Sequence, residues 1–200
     1  MDTHQLSYQI DNRLYLNITD SCTLDCVFCP KTRGSCKVGD YDLTLGYRPK
    51  AEEIMACISQ PEQYDEVVFC GYGEPTLRLN LVVEVAQVIK QQGGKVRVNT
   101  DGLANLVHKN NVLPKLATCV DILSISMNAQ DADTYDSICQ PGLPGSFEKM
   151  LEFVSEAPRY ISDVRASAID GIEGVDISAC RKLAEQRGAT FLVRTLDKIP

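Results

Sequence analysis

No stretch of this 200-residue chain approaches the ~20 consecutive apolar residues of a membrane helix, so no transmembrane segment is expected. The amino-terminal MDTHQLSYQIDNR has neither a basic flank nor an apolar core, which excludes a secretory signal there. Positive charge is in deficit. Twenty Lys and Arg stand against 27 Asp and Glu, for a net charge of −7, and a surface that coats nucleic acid is not expected. Internal repeats, low-complexity tracts and linkers are also missing, so the chain reads as one domain spanning 1–200. It stops at Pro200, soon after the last candidate strand, and no carboxy-terminal lid is expected. What is plentiful is cysteine, with nine residues. An odd number without a secretory signal disfavours a disulfide framework and fits reduced, cytoplasmic thiols, some of them on metal.

Strand-like and helix-like runs alternate along the chain. Candidate strands cover 14–19, 66–71, 95–102, 122–128, 163–169 and 190–196. Between them, Leu81, Val82, Val85, Val88 and Ile89 recur at helical spacing, as do Phe147, Met150, Leu151 and Val154, and Ile177, Cys180, Leu183 and Ala184. Gly93, Gly94 and Gly188 stand where helices should stop. Such alternation predicts an α/β fold with parallel strands, since parallel strands need crossovers.

The strands also carry a polar phase, unusual for a parallel sheet covered on both faces. It contains Tyr15, Asn17 and Thr19; Arg97, Asn99 and Asp101; Ser124, Ser126 and Asn128; Arg165 and Ser167; and Arg194. The opposite phase holds Leu14, Leu16, Ile18, Val96, Val98, Leu123, Ile125, Met127, Val164, Phe191 and Val193. If the apolar phase faces helices, the polar phase lines a wet concavity. A partial (βα)6 TIM-type barrel fits this better than a flat doubly wound sheet.

The sharpest motif is Cys22-x-x-x-Cys26-x-x-Cys29, directly after the first candidate strand. Three soft thiolates on one loop suit an iron–sulfur cluster with one site left open. Zinc would want a fourth ligand, for which Cys36 is available, but there is no second CxxC or CxxH pair. Cys57, Cys70 and Cys180 read as small core hydrophobes, while Cys119 and Cys139 are ambiguous. A dinucleotide fingerprint is only half present, because Gly71-x-Gly73-x-x-Thr76 lacks its third glycine and is interrupted by Pro75.

One further feature is electrostatic. Residues 30–50 carry five basic residues against two acidic ones, a net of +3, so the rest of the chain carries −10. This basic insertion follows the cysteine loop, and Arg165 sits on the polar phase. Together they suggest an anionic substrate, with Arg165 as a fixed fork and the loop as a mobile clamp. The plainer reading is a solvated loop and an internal ion pair, with Asp101 as a candidate partner.

The CxxxCxxC loop (20–30), Phe28 before its third cysteine, and the Gly71-Tyr72-Gly73-Glu74-Pro75 turn resemble the radical S-adenosylmethionine (radical SAM) superfamily. Among its members the chain is most similar to small TatD-associated radical SAM proteins, related to glycyl-radical-enzyme activases and 7-carboxy-7-deazaguanine synthase. The resemblance implies that Cys22, Cys26 and Cys29 hold a [4Fe–4S] cluster whose fourth iron chelates S-adenosylmethionine. It further implies that Gly71, Tyr72, Gly73 and Glu74 lie along the methionine moiety. Asn99, Ser126 and Asn128 would contact ribose or carboxylate, Arg194 the carboxylate or adenine, and Phe28 the adenine. Tyr72 replaces the second glycine of the family's GGE, and Asn128 stands where activases often carry lysine. The implied chemistry is reductive cleavage to methionine and a 5′-deoxyadenosyl radical, fed by a flavodoxin- or ferredoxin-like electron donor. A protein or peptide and a small anionic molecule both stay open as substrate. The competing non-enzymatic reading is an iron–sulfur electron carrier or redox sensor.

Overall fold

Residues 4–196 are described by the computed structural model. The ends of the domain expected over 1–200, including Pro200, lie outside them. Ser7–Ile10 (β1) folds back antiparallel onto Arg13–Leu16 (β2), with Tyr8 opposite Tyr15 and Asp11 supplying a positive φ of 52° in the two-residue turn. After the cysteine loop, Lys37–Val38 (β3) and Tyr41–Asp42 (β4) form a separate small hairpin. Ala51–Ala56 (α1) then leads to Glu66–Phe69 (β5).

From there strands and helices alternate: Leu79–Gln91 (α2), Val96–Thr100 (β6), Ala104–His108 (α3), Leu113–Leu116 (α4), Ile122–Ser126 (β7), Ala132–Cys139 (α5), Ser146–Glu156 (α6), Asp163–Asp170 (β8), Ile177–Glu185 (α7) and Thr190–Thr195 (β9). The strand order is β1-β2-β5-β6-β7-β8-β9, and every pair from β2 onward is parallel. Each new strand is added on the same side, as in a barrel. A doubly wound sheet reverses direction at a switch point. The arrangement is thus a single α/β domain of partial-barrel type, six parallel strands wide with an antiparallel strand at one edge.

Helices cover the apolar phase. Leu14, Leu16, Val96, Val98, Leu123, Ile125 and Val164 are buried in one core with Val82, Val85 and Ile89 of α2, Met150 and Phe153 of α6, and Cys180 and Ala184 of α7. Helix α2 stops at a left-handed Gly93 (φ 83°), and a Cβ on Gly94 would stand 2.6 Å from Ile89 Cγ2, which explains the glycine pair. Val193 departs from the expected phase. It is 45% exposed because β9 is an edge strand, whereas Phe191 beside it is buried.

The polar phase is not uniformly wet. Tyr8, Tyr15, Leu43 and Val68 form a second core, with Val38, Tyr41, Cys70 and Tyr72 packed against it. The insertion is therefore not a mobile clamp over its whole length, because Leu43 and Leu45 are fully buried beneath it. Arg165 is likewise no free fork. It donates to Asp163 at 2.6 and 2.9 Å and lies 3.6 Å from Glu66, which Arg13 (3.5 Å) and Arg97 (3.3 Å) also approach. This ion cluster gathers at the amino-terminal ends of the strands, the stability face of a barrel, and Asp101 takes no part in it.

Candidate functional site

Beyond Leu16 the chain leaves β2 and crosses the carboxyl edge of the sheet as the cysteine loop. Backbone hydrogen bonds hold this loop on two sides. On one side Glu74 N donates to Ser21 O (2.8 Å). On the other, Asp25 N donates to Cys139 O (3.1 Å), Val27 N to Ile138 O (2.9 Å) and Gly142 N to Thr23 O (3.0 Å). Cys29 N donates to Cys26 O (3.0 Å), a tight turn between the second and third cysteines. Cys22 is exposed, and Cys26 and Cys29 are half-buried.

Cys22 reaches solvent at its surface, but the protein packed against its sulfur, and then the Asp101 and Glu74 carboxylates, push its thiol up to about 12. The Cys26 thiol is also raised, first by its hydrogen bond with Cys139 and then by burial. Without metal, the Cys22 and Cys26 thiols thus keep their protons at neutral pH, and a metal bound through them would release those protons.

Under the loop lies a buried pair of acids. Glu74 accepts from Thr76 N (2.9 Å), Thr76 Oγ1 (2.6 Å), Thr100 Oγ1 (2.8 Å) and Asp101 N (2.7 Å). Asp101 accepts from Leu103 N (2.9 Å) and from the Thr23 hydroxyl. Burial, then the neighbouring Asp101, lifts Glu74 to about 8, and burial raises Asp101 as well. The pair holds a shared proton near neutrality and ties the cysteine loop to the end of β6. With four internal donors satisfied, the Glu74 carboxylate is committed to the fold, and what the turn offers a ligand is its backbone.

The glycines of that turn have a reason inside the protein. A Cβ on Gly73 would stand 2.4 Å from Thr19 O and 2.5 Å from Ser21 O, both in the cysteine loop. On Gly71 it would meet Asn17 Oδ1 at 2.2 Å. Asn17 Nδ2 meanwhile donates to Leu43 O (2.9 Å) and Gln5 O (3.0 Å). These glycines let two loops touch, so their close approach is first to protein backbone and side chain.

The remaining candidates come from the strand ends. Asn99 stands in β6 and Ser126 ends β7. Asn128 follows β7 in the left-handed region (φ 64°), which asparagine tolerates, and its N–H donates to Ser167 O (3.0 Å). Arg194 in β9 donates from NH2 to Asn128 Oδ1 (2.7 Å). Burial lowers the Arg194 value, and its Nε and Asn99 Oδ1 are buried without a hydrogen-bond partner. Phe28 is half-buried against the main core, and the Tyr72 hydroxyl donates to Lys37 O in the insertion. Cys36 is half-buried in the insertion, its carbonyl accepting from Leu43 N (2.8 Å), and both it and Cys29 stand near enough to Tyr72 to raise that hydroxyl, after burial.

Three soft donors on one loop, beside a cationic donor and a carbonyl acceptor left unpartnered in the fold, suit an iron–sulfur cluster together with a charged, polar small molecule. Sequence reasoning missed Thr23, Thr100 and Cys139 around this site. Asp101 is visible as a polar-phase residue, but in the fold it accepts from Thr23 and Leu103 rather than pairing with Arg165, and nothing local marks Thr23 or Cys139.

Residues 16–186 match the family model described as the Radical SAM superfamily. A GTP 3′,8-cyclase of Alkaliphilus oremlandii is 28% identical over 155 residues, 74% of this chain and 43% of that protein. The tungsten-containing aldehyde ferredoxin oxidoreductase cofactor-modifying protein of Pyrococcus furiosus is 26% identical over 151 residues, 72% of this chain and 39% of that one. The chain thus spans about two fifths of these relatives. In fold it is similar to TYW1 with a lysine-pyruvate adduct bound (TM-score 0.64, 18% identity, 92% of this chain and 64% of that one). It is also similar to Streptococcus suis SuiB bound to precursor peptide SuiA (TM-score 0.68, 15% identity, 95% and 40%). With the model match covering most of its length, the chain belongs to the radical S-adenosylmethionine superfamily of enzymes.

Proposed function

We propose that this chain is the catalytic core of a radical SAM enzyme, with Cys22, Cys26 and Cys29 each holding one iron of a [4Fe–4S] cluster and the open iron taking S-adenosylmethionine. The observation that carries the reading is the three-thiol loop pinned across the carboxyl edge of a singly wound sheet, next to buried polar atoms without partners. When bound, the cluster supplies one electron to the sulfonium and the cofactor supplies a 5′-deoxyadenosyl radical that takes a hydrogen atom from substrate.

The chain's own residues bind and orient. The Gly71–Glu74 backbone would offer carbonyls to the cofactor ammonium, and the Arg194 guanidinium, whose buried Nε lacks a partner in the fold, would offer a cationic donor to its carboxylate. Asn99 and Ser126 would meet the ribose, with Asn128 holding Arg194 in place. Phe28 would exclude water at the adenine side, and Tyr72 at the methionine side. An electron carrier would satisfy every iron with protein ligands and would have no use for the unpartnered Arg194 and Asn99 groups.

The electron donor is of flavodoxin or ferredoxin type, and the setting is reducing and cytoplasmic. Among the described residues no helix is long and apolar enough to cross a membrane. Lys31, Arg33, Lys37, Arg48 and Lys50 are all exposed, which supports an anionic substrate, whether a small molecule or an acidic peptide. Anaerobic reconstitution followed by iron and sulfide analysis tests the assignment. Wild-type protein is expected to hold about four of each. Cys22→Ala, Cys26→Ala and Cys29→Ala should each lose them, while Cys57→Ala and Cys180→Ala keep them. Full cluster content in Cys26→Ala would overturn the reading.

A further inference from the structure

Resting on the cofactor placement above, we propose that Tyr72 is a positioning residue that joins the cofactor turn to the basic insertion, so that cofactor binding closes the insertion before an anionic substrate is held. The Tyr72 hydroxyl donates to the carbonyl of Lys37, the first residue of the β3–β4 hairpin. Its ring packs on the inner core of Tyr8, Tyr15, Leu43 and Val68, where Val38 and Tyr41 of the same hairpin also pack. One side chain of the turn thus meets the insertion both by a hydrogen bond and through a common apolar core. A glycine, which the family's GGE has at this position, could make neither contact.

Asn17 makes a second strut between the same two elements. It is fully buried, and its Nδ2 donates to Leu43 O (2.9 Å) in the inner half of the insertion. Its Oδ1 lies against Gly71, 2.2 Å from where a Cβ would stand, and has no hydrogen-bond partner in the fold. Both struts therefore begin at the turn assigned to the methionine moiety and end on backbone carbonyls of the insertion.

The two halves of the insertion are held unequally. Leu43 and Leu45 are buried, whereas no residue from 31 to 42 is. Among the ties of this outer half, Tyr41 donates to Gln9 O (3.3 Å) in β1, Lys31 Nζ to Asp20 O (2.6 Å) and Thr32 Oγ1 to Asp25 Oδ1 (2.8 Å). The last two, like the Tyr72 bond, fasten it to segments that flank the cofactor site. A segment with few buried contacts opens locally at low cost. A ligand that immobilises the turn raises that cost, because opening must then break the Tyr72 contacts while the turn stays fixed. The coupling is reciprocal, so a closed insertion also favours the bound cofactor. Lys31, Arg33 and Lys37 all belong to the outer half, and the basic face is therefore complete only when it is closed.

The test is limited trypsin digestion of the oxidised, cluster-loaded protein without reductant, so that S-adenosylmethionine binds but is not cleaved. Mass spectrometry reads the cuts after Lys31, Arg33 and Lys37. If the opened insertion cannot bind the cofactor, cutting slows by 1 + [L]/Kd, up to about elevenfold at ten times Kd. Tyr72→Phe keeps the ring without the hydroxyl. It should be cut roughly fivefold faster in the absence of cofactor, as for one lost hydrogen bond. With the cofactor at ten times each protein's own Kd, its protection should fall below the wild-type value, and Tyr72→Gly should show almost none. Matching occupancy in this way separates closure of the insertion from general stabilisation by a bound ligand. Wild-type protein that binds S-adenosylmethionine yet is cut at an unchanged rate would overturn the inference, as would Tyr72→Phe and Tyr72→Gly both protected as fully as wild type. A wild-type protein that holds no cluster, or holds one and binds no cofactor, would overturn the reading beneath it, an outcome visible before any variant is made.

Discussion

At Gly73, one missing methyl group decides whether two loops can meet. The Cβ of an alanine there would stand 2.4 Å from Thr19 O and 2.5 Å from Ser21 O, and both are backbone atoms that cannot rotate away. Gly73→Ala should therefore destabilise the protein by about 1–3 kcal/mol, the usual cost of overpacking, and should lower cluster loading by displacing the loop that bears Cys22. Thermal unfolding and iron analysis check this, and an alanine variant with wild-type melting and iron would contradict it. From sequence alone the glycine suggested close approach to a cofactor, because the partner that it touches lies some fifty positions earlier and only the fold reveals it. Glu74 and Asp101 make a second point at this scale. A buried acid lifted to about 8 from an unfolded value of 4.5 binds its proton more tightly when folded. Stability of the metal-free protein should then fall as pH rises from about 4.5 to about 8, by up to ~1.4 kcal/mol per pH unit for each proton held. Asp101→Asn, which leaves Glu74 as a single carboxylate among four donors, should flatten the slope. Denaturant titrations across that window are the measurement, and equal slopes in the two proteins would remove the shared proton.

Among the elements, the insertion is where sequence and structure part most. Its five basic residues are exposed as their charge implies, but Leu43 and Leu45 run underneath and close the inner face over Tyr8, Tyr15 and Val68. Two isolated leucines in a polar stretch have no periodicity to reveal which side they face, so the loop reads as solvated until the sheet is present. Leu43→Ala should cost about 2–5 kcal/mol, as for a core leucine, where a loop leucine would cost almost nothing. Urea unfolding distinguishes the two. The six parallel strands, by contrast, are legible from alternation, and α2, α6 and α7 from helical spacing, because burial on one face writes itself into the sequence. Strand β1 was not legible. Four residues beside a two-residue turn are too short to carry a pattern, and the strand is held by pairing with β2.

In the whole molecule, the two ends of the sheet do different work. The amino-terminal ends gather Arg13, Arg97 and Arg165 around the buried Glu66, an ion cluster that fixes strand positions, with Arg97 buried and Arg13 and Arg165 partly exposed. The carboxyl ends carry the cysteine loop, the glycine turn and the unpartnered Arg194 and Asn99 atoms. The cysteine triplet is readable because its three members are close in sequence. The division between ends was not, since Arg165 and Arg194 have the same local context and differ only in how far along a strand they sit. The central claim is that the carboxyl end performs reductive cleavage of S-adenosylmethionine. The most direct measurement is chromatography of 5′-deoxyadenosine and methionine after the anaerobically reconstituted protein is reduced with dithionite and given the cofactor. Both products should form in equal amounts with wild-type protein and fall to the background level with Cys26→Ala. A protein loaded with four irons that releases no 5′-deoxyadenosine, or a Cys26→Ala variant that releases as much as wild type, would contradict the claim.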